Sequence, residues 1–256
     1  MSDLRLVLEP PLARIVLSRP ERRNAMSAAM WRDLAELSAD IEACVEVAAV
    51  VVEGAGGHFC AGADIGEFDE VFADADSARA YLGAIERALE ALSRLDRPTL
   101  AKIEGSAVGG GLAIALACDL RFAADDAHLA VPPARLGLLY GPVETRLLVE
   151  VVGPAVAKDL LFSARTVEPQ EALRLGLINR CLPPTELTPA ADAQAQAWSR
   201  LSQNSIRGAK KAVRAALAAN HEEMRALVQV AALGEDFREG RAAFKAKRPA
   251  QFSRRT

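Results

Sequence analysis

The pattern of hydrophobic positions divides the chain into two parts. In its first part, short β-branched runs alternate with stretches whose apolar residues recur every three or four positions. Ser27 is a good N-cap, and the spacing after it predicts an amphipathic helix to about Val45. The stretch from Ser77 to Leu95 predicts a second amphipathic helix. One strand is predicted before these helices, at 13–18. Further strands are predicted between and after them, at 48–53, 99–103, 119–123 and 128–131.

From Val143 onward, the pattern is almost wholly helical. A short strand is expected at 177–181, and the prolines at 183, 184 and 189 are typical of a linker. Further helices are predicted at 190–203, 206–219, 221–234 and 238–247. An α/β core with an all-helical tail indicates that the tail packs on a neighbouring subunit, or alternatively on its own core.

Composition and charge exclude several classes of protein. The 256 residues suffice for one sizeable core, and the net charge of −3 argues against general nucleic-acid binding. The four cysteines form no CxxC pair and the histidines do not cluster, so neither a metal site nor a disulfide framework is expected. No apolar run reaches membrane length, and the N-terminus lacks a long apolar segment, so we expect a soluble, cytoplasmic protein with no membrane partner.

Two glycine-rich turns carry the candidate chemistry. The segment from Phe59 to Ile65 follows one predicted strand, and the segment from Gly105 to Gly111 follows another. Glycine and alanine let a ligand approach the main chain closely, and a helix N-terminus presents free N–H groups. Because two converging N–H donors can hold an oxyanion, these turns mark the chain as a candidate enzyme.

Five segments in this order resemble the crotonase (enoyl-CoA hydratase/isomerase) superfamily, and the resemblance covers nearly the whole chain. The segments are 17–26, 59–65, 105–111, 117–123 and 171–178, and the stretch 239–249 is similar to the family's ending. The resemblance implies an α/β fold, the crotonase (ClpP-like) spiral of strand–strand–helix units with a helical C-terminal trimerisation region. It also implies an acyl-CoA substrate and a homotrimer or a dimer of trimers. The spiral core with its acyl-CoA pocket is expected over 1–192, and the helical region for oligomerisation and CoA contact over 193–256.

The resemblance also implies a site. Position by position, the main-chain N–H groups of Ala63 and Gly110 match the pair that holds the thioester carbonyl and stabilises an enolate. The residues expected to contact the CoA substrate are Arg22, Ala25, Ala61, Asp64, Ile65, Phe244 and Lys247. Asp64 has an alternative role in fixing its loop, and the basic C-terminal residues are equally typical of a solvated helix face. No cofactor is expected beyond the CoA moiety of the substrate.

The chain departs from the hydratases of this family, which use two glutamates as general acid and base. The corresponding positions here are Ala113 and Pro133, and neither residue can move a proton. We therefore expect an isomerase, a decarboxylase or an atypical hydratase. Tyr140 lies in a run similar to the segment of methylmalonyl-CoA decarboxylase that carries its pocket tyrosine, and Glu144 lies at a predicted helix N-terminus. Each has a structural alternative, a hydrogen-bonded half-buried aromatic for Tyr140 and a dipole-stabilised carboxylate for Glu144.

Three other functions would require features different from those of an enolate enzyme. A non-catalytic acyl-CoA-binding homologue would keep the pocket and show no turnover. A serine peptidase of related fold would need a Ser–His–Asp set, and Ser106 has no plausible base in the sequence. The glycines of the second turn do not form the GxGxxG pattern of a dinucleotide site.

Overall fold

A six-stranded, mostly parallel sheet forms the centre of the fold. The computed structural model describes residues 3–218, 220, 226, 228, 230 and 234–252, apart from the side chains of residues 244 and 245. The strands lie in the order β1 (Leu4–Glu9), β2 (Leu12–Leu17), β3 (Ala49–Gly54), β4 (Thr99–Ile103), β6 (Leu120–Ala124) and β9 (Arg180–Leu182). Strands β1 and β2 are antiparallel, and every later pair is parallel. The middle of β3 is fully buried, as expected of a parallel strand covered on both faces.

A smaller sheet and the helices surround this centre. The small sheet has the order β5 (Ser106–Val108), β7 (His128–Ala130) and β8 (Thr166–Val167). The helices are α1 (Ala28–Ala43), α2 (Phe68–Val71), α3 (Ala75–Arg94), α4 (Gly110–Ala117), α5 (Pro142–Ser163), α6 (Pro169–Arg174), α7 (Pro184–Ser199), α8 (Gln203–Leu217) and α9 (Glu235–Ala246). The predicted α/β fold with a helical C-terminal region is thus confirmed. No helix in these described parts combines the length and apolarity needed to cross a membrane.

Helix α4 is the element that most directly sets up the site. It is apolar on every side and its residues from Gly111 to Ala117 are buried, which is typical of a helix inside a core. The helix begins beside the carboxyl ends of β3 and β4, because a tight turn and the short strand β5 connect β4 to it. Its N-terminus therefore points at the loop that follows β3.

Several sequence-based boundaries were wrong. The prolines at 183 and 184 do not form a linker, because Pro184 is the first residue of α7, a position that proline favours. Helix α7 consequently begins before residue 190, where the sequence predicts its start. The strand expected at 177–181 begins only at Arg180, since Leu177 and Ile178 donate their N–H groups to Ala172 in a turn. The helix expected at 221–234 falls largely outside the described residues.

Candidate active site

The two glycine-rich turns lie against each other. The N–H of Cys60 donates to the carbonyl of Ser106 (2.8 Å), and the N–H of Val108 donates to the carbonyl of Cys60 (3.0 Å). The contact needs residues without side chains: a Cβ on Gly111 would lie 2.2 Å from the Cys60 carbonyl oxygen. Gly62 has a φ of +107° and a Cβ there would lie 2.8 Å from the carbonyl oxygen of Val108. The glycines are thus explained by close approach of two main chains.

The structure places Ala63 and Gly110, the predicted oxyanion donors, side by side. Met26 accepts from Asp64 and donates to Gly62, so the N–H of Ala63 points away from Met26. A Cβ on Gly110 would lie 3.7 Å from the nitrogen of Ala63. Gly110 is the first residue of α4, where an N–H has no intrahelical acceptor. In the part of the chain that the structure describes, no acceptor is found for either N–H group.

An ion pair holds the loop that carries Ala63. The guanidinium of Arg19 donates to the carboxylate of Asp64 (2.9 Å) and to the carbonyl of Ala25 (3.0 Å). The Asp64 carboxylate also accepts the N–H of Gly66 (3.1 Å). Burial acts to raise the pKa of Asp64, but the hydrogen bonds from Arg19 and Gly66 hold it below its usual value. Asp64 therefore fixes its loop, the alternative that the sequence left open.

Tyr140 is engaged in a structural hydrogen bond. Its hydroxyl donates to the carbonyl oxygen of Gly109 at 2.7 Å, which ties the loop before α5 to the start of α4. Burial and, to a smaller extent, the nearby Glu144 carboxylate raise the pKa of this phenol well above its ordinary value. The phenol thus retains its proton, and that proton is committed to a main-chain acceptor.

Glu144 is a buried carboxylate with unused hydrogen-bonding capacity. It is the third residue of α5 and only 8% exposed. Its Oε2 atom has no partner among the described residues. Burial raises the pKa of this carboxyl, although the N–H groups of Glu144 itself and Gly141 act against the rise. Gly141 makes room for the carboxylate, because a Cβ there would lie 2.6 Å from Oε2. A buried acid of raised pKa is suited to accept and return a proton.

Two aromatic residues that sequence reasoning missed also lie at the site. The indole ring of Trp31, from α1, comes within 3.0 Å of the position that a Cβ on Gly110 would occupy. Tyr81, from α3, contacts the ring of Phe72 edge-on, with centroids 5.6 Å apart. Both fall on the apolar faces of predicted helices, so the sequence alone gives them no signal beyond that of core residues.

The residues predicted to contact the substrate's CoA moiety fall into two groups. Arg22, Ala25, Ala61 and Ile65 lie on two adjacent loops that are joined by the hydrogen bond from the N–H of Ala61 to the carbonyl of Arg23. Ile65 is 59% exposed there. The other group belongs to the C-terminal helical region. Lys247 is exposed just beyond α9, and Phe244 lies within α9 with its side chain outside the described residues.

The resemblance to the family matches Ala113 and Pro133 to the two hydratase glutamates. Ala113 is buried on α4, one turn after Gly110, and Pro133 begins a short 3-10 helix (Pro133–Leu136). A separate cavity of about 1120 Å³ lies at the other end of α4, against α5 and α8. Its lining contains none of the predicted site residues.

The fold and the two neighbouring main-chain N–H groups describe the site, and comparison with known proteins identifies the family. The chain belongs to the enoyl-CoA hydratase/isomerase family, whose model matches residues 9–255. It is 35% identical over 246 residues to the "Probable enoyl-CoA hydratase echA8" of Mycobacterium bovis, covering 94% of both chains. It is 34% identical over 192 residues to the short-chain-enoyl-CoA hydratase of Clostridium acetobutylicum, covering 75% of this chain and 73% of the relative.

Solved structures agree with this assignment. An enoyl-CoA hydratase/isomerase family protein from Hyphomonas neptunium superimposes with a TM-score of 0.95 at 40% identity, covering 99% of this chain and 98% of the other. An enoyl-CoA hydratase from Bacillus anthracis superimposes with a TM-score of 0.91 at 28% identity, covering 98% and 99%. The predicted family and its fold are therefore confirmed.

Proposed function

We propose that the protein is an acyl-CoA enzyme that isomerises enoyl thioesters through an enolate, with Glu144 as the group that moves the proton. The observation that carries this proposal is the presence of two main-chain N–H groups without an acceptor among the described residues, in the loop after β3 and at the start of α4, and of one buried carboxylate in the first turn of α5. The N–H groups of Ala63 and Gly110 are placed to hold a thioester oxygen, which acidifies the adjacent Cα. Removing one such donor typically costs on the order of 10²–10³ in rate.

A single carboxylate suffices for a shift of a double bond. The base removes a proton from Cα of a 3-enoyl thioester, the electron pair delocalises onto the thioester oxygen, and the same acid returns the proton at Cγ. The product is a 2-enoyl thioester, and no water or other reactant is consumed. Hydration instead requires one group to activate water and a proton source for Cα, and residues 113 and 133 supply neither.

Charge and bonding favour Glu144 over Tyr140 and isomerisation over decarboxylation. The phenol of Tyr140 is committed to the carbonyl of Gly109, whereas Oε2 of Glu144 has no partner in the described part. Burial raises the pKa of Tyr81 to about 12, and the negative charges of Glu67, Asp64 and Glu144 add to the rise. A decarboxylase substrate would bring a further carboxylate toward these charges, which disfavours such a ligand.

The test is an assay for enolate formation. Pure protein incubated with 3-hexenoyl-CoA should produce the conjugated 2-enoyl thioester, followed by its ultraviolet absorbance. In deuterium oxide, mass spectrometry should show deuterium entering the acyl chain. Glu144→Gln should abolish both signals, while Glu186→Gln, which changes the same third helical position in α7, should keep them.

Two outcomes would contradict the proposal. Micromolar binding of acyl-CoA with neither product formation nor deuterium exchange on a panel of 2-enoyl, 3-enoyl and malonyl-type thioesters would favour the non-catalytic homologue. Robust hydration of crotonyl-CoA that survives Glu144→Gln and Tyr140→Phe would instead indicate an atypical hydratase. The proposed homotrimer or dimer of trimers is tested separately, by light scattering of the pure protein.

A further inference from the structure

Two buried polar groups beside the oxyanion donors have unused hydrogen-bonding capacity. The indole N–H of Trp31, on a fully buried side chain, reaches no acceptor among the described residues. The same is true of Oε2 of Glu144. Leaving a buried donor or acceptor without a partner is costly, and in an enzyme such groups select a ligand that satisfies them. The proton-transfer role proposed for Glu144 explains one of the two and leaves the indole unexplained.

Tyr81 connects these two groups. Burial raises the pKa of the Tyr81 phenol to about 12, the indole N–H of Trp31 acts against that rise, and the Glu144 carboxylate adds to it. Both groups therefore lie near the phenol, although no hydrogen bond of good geometry joins the indole N–H to it. Trp31 also lies against Gly110. The indole thus connects the donor Gly110 with the phenol and the carboxylate.

Tyr140 lies near the same groups. Its hydroxyl donates to the carbonyl of Gly109, the residue before the donor Gly110, and the charge of Glu144 acts on its phenol. The polar groups therefore lie around the start of α4, where the two N–H groups would hold a thioester. They do not lie in a separate part of the molecule.

The chemistry of these groups restricts what can fill the space. A plain alkyl chain would leave the indole N–H without an acceptor. A carboxylate would be repelled, because Asp64, Glu67 and Glu144 all act on Tyr81 with negative charge, and Glu86 acts on Glu144 in the same sense. A neutral oxygen can accept from both donors, and a hydroxyl can in addition donate to Glu144.

We propose that Trp31 and Tyr81 form a polar subsite for the acyl group, and that the substrate carries a neutral oxygen, a hydroxyl or a keto group, on its acyl chain. The proposal rests on the function proposed above and narrows its substrate class to oxygenated acyl-CoA thioesters. Trp31 and Tyr81 then determine specificity, while Ala63, Gly110 and Glu144 carry the chemistry.

Binding of saturated thioesters tests the subsite without any turnover. Isothermal titration calorimetry would compare hexanoyl-CoA with its 3-hydroxy, 5-hydroxy and 3-oxo analogues, with free CoA as a reference. At least one oxygenated thioester should bind about 10-fold or more tightly than hexanoyl-CoA, because each satisfied donor is worth up to about that factor. Trp31→Phe and Tyr81→Phe should each lower this ratio by about 10-fold.

A matched control and a second variant keep the test decisive. Trp198→Phe makes the same chemical change at a half-buried tryptophan that lines the separate cavity, and should leave the ratio unchanged. If the core does not tolerate Trp31→Phe, Tyr81→Phe removes a single oxygen atom and still reports the effect. A wild-type ratio of one, or a ratio that survives both substitutions, overturns the subsite. If such a result accompanies intact isomerisation, only the subsite fails. If the ratio holds without deuterium exchange, only the proposed chemistry fails.

Discussion

Replacing Glu144 by glutamine should make the protein more stable and less active at neutral pH. The carboxylate is 8% exposed and one of its oxygens has no partner in the described structure. Burial of an unpaired ionised group disfavours folding, and the raised pKa of Glu144 reports that cost. Glutamine has nearly the same shape and removes the charge. The stability gain and the activity loss therefore have one cause.

The expected magnitude follows from two opposing contributions. A carboxylate in the first turn of a helix is stabilised by the dipole by about 0.3–1 kcal/mol, which glutamine forfeits. Glutamine keeps a polar atom at this place but removes its charge. The desolvation cost of a buried group without a partner is about 1–3 kcal/mol when it is neutral and larger when it is charged. The net gain should be about 1–2 kcal/mol in the free energy of unfolding. Loss of the proton-transfer group should lower isomerisation about 10²–10⁴-fold.

Glu186 offers the matched control because it is also the third residue of a helix that begins with proline, and it is exposed. Glu186→Gln should lower stability by at most about 1 kcal/mol, through the dipole alone. The same substitution at these two glutamates should therefore change the free energy of unfolding in opposite directions. Urea unfolding of both variants, together with the isomerisation assay, measures them.

The pH dependence of stability provides a second check on the sign of the change caused by Glu144→Gln. A group whose folded pKa is raised stabilises the protein below its unfolded pKa, and this stabilisation is lost as the pH rises through the folded pKa. The advantage of Glu144→Gln should therefore be smallest near pH 4, about the unfolded pKa of a glutamate, and should grow toward neutral pH. A Glu144→Gln variant that is less stable than wild type at neutral pH, with unchanged turnover, would refute the reasoning and leave Glu144 as a helix-capping carboxylate.

Three further predictions follow from the same geometry. Tyr140→Phe should lower turnover by less than about 10-fold, because the lost hydroxyl bonds Gly109; a loss as large as that of Glu144→Gln would contradict this. Arg19→Met should lower kcat more than KM, because Asp64 would no longer fix the Ala63 loop. The variant should also be less stable than wild type in urea. This difference should shrink as acid protonates Asp64, whose pKa is lowered in the folded protein. Gly111→Ala should lower the free energy of unfolding by about 1–3 kcal/mol, because of the clash with Cys60. Gly208→Ala, with open space around it, should instead stabilise α8 by about 0.5–1 kcal/mol. Melting temperatures equal to that of the wild type would contradict both expectations.

Local periodicity explains which elements the sequence could predict. Helices α1 and α3 have long apolar stripes and capping side chains at Ser27 and Asp74, so their spans follow from neighbouring residues. Strands β5 and β8 have three and two residues, and they exist because of pairing with β7. No local pattern marks such strands. The edge strand β1 was missed in the same way, since its apolar residues alternate over only six positions.

The candidate site shows the same difference between features set by local sequence and features set by distant contacts. That the two turns meet was predictable, because glycine spacing records how closely two backbones approach. The surroundings of Tyr140 and Glu144 were not predictable, because they depend on a hydrogen bond to Gly109 and on a carboxylate oxygen that has no partner in the described structure. The roles proposed for Trp31 and Tyr81 depend on contacts between three helices, and a sequence presents both residues as ordinary core.

Parallel pairing of β3 with β4 explains why the oxyanion donors and the proton-transfer group can vary independently. Val50 pairs with Thr99, so the carboxyl ends of both strands lie at one edge and the turns that follow them meet. The donors Ala63 and Gly110 thus depend on the sheet and on main-chain contacts. The carboxylate of Glu144 comes from α5, a separate layer that reaches the site over the start of α4. A change of acid or base would therefore leave these two main-chain N–H groups in place, so the enolate chemistry proposed above does not require a glutamate at 113 or 133.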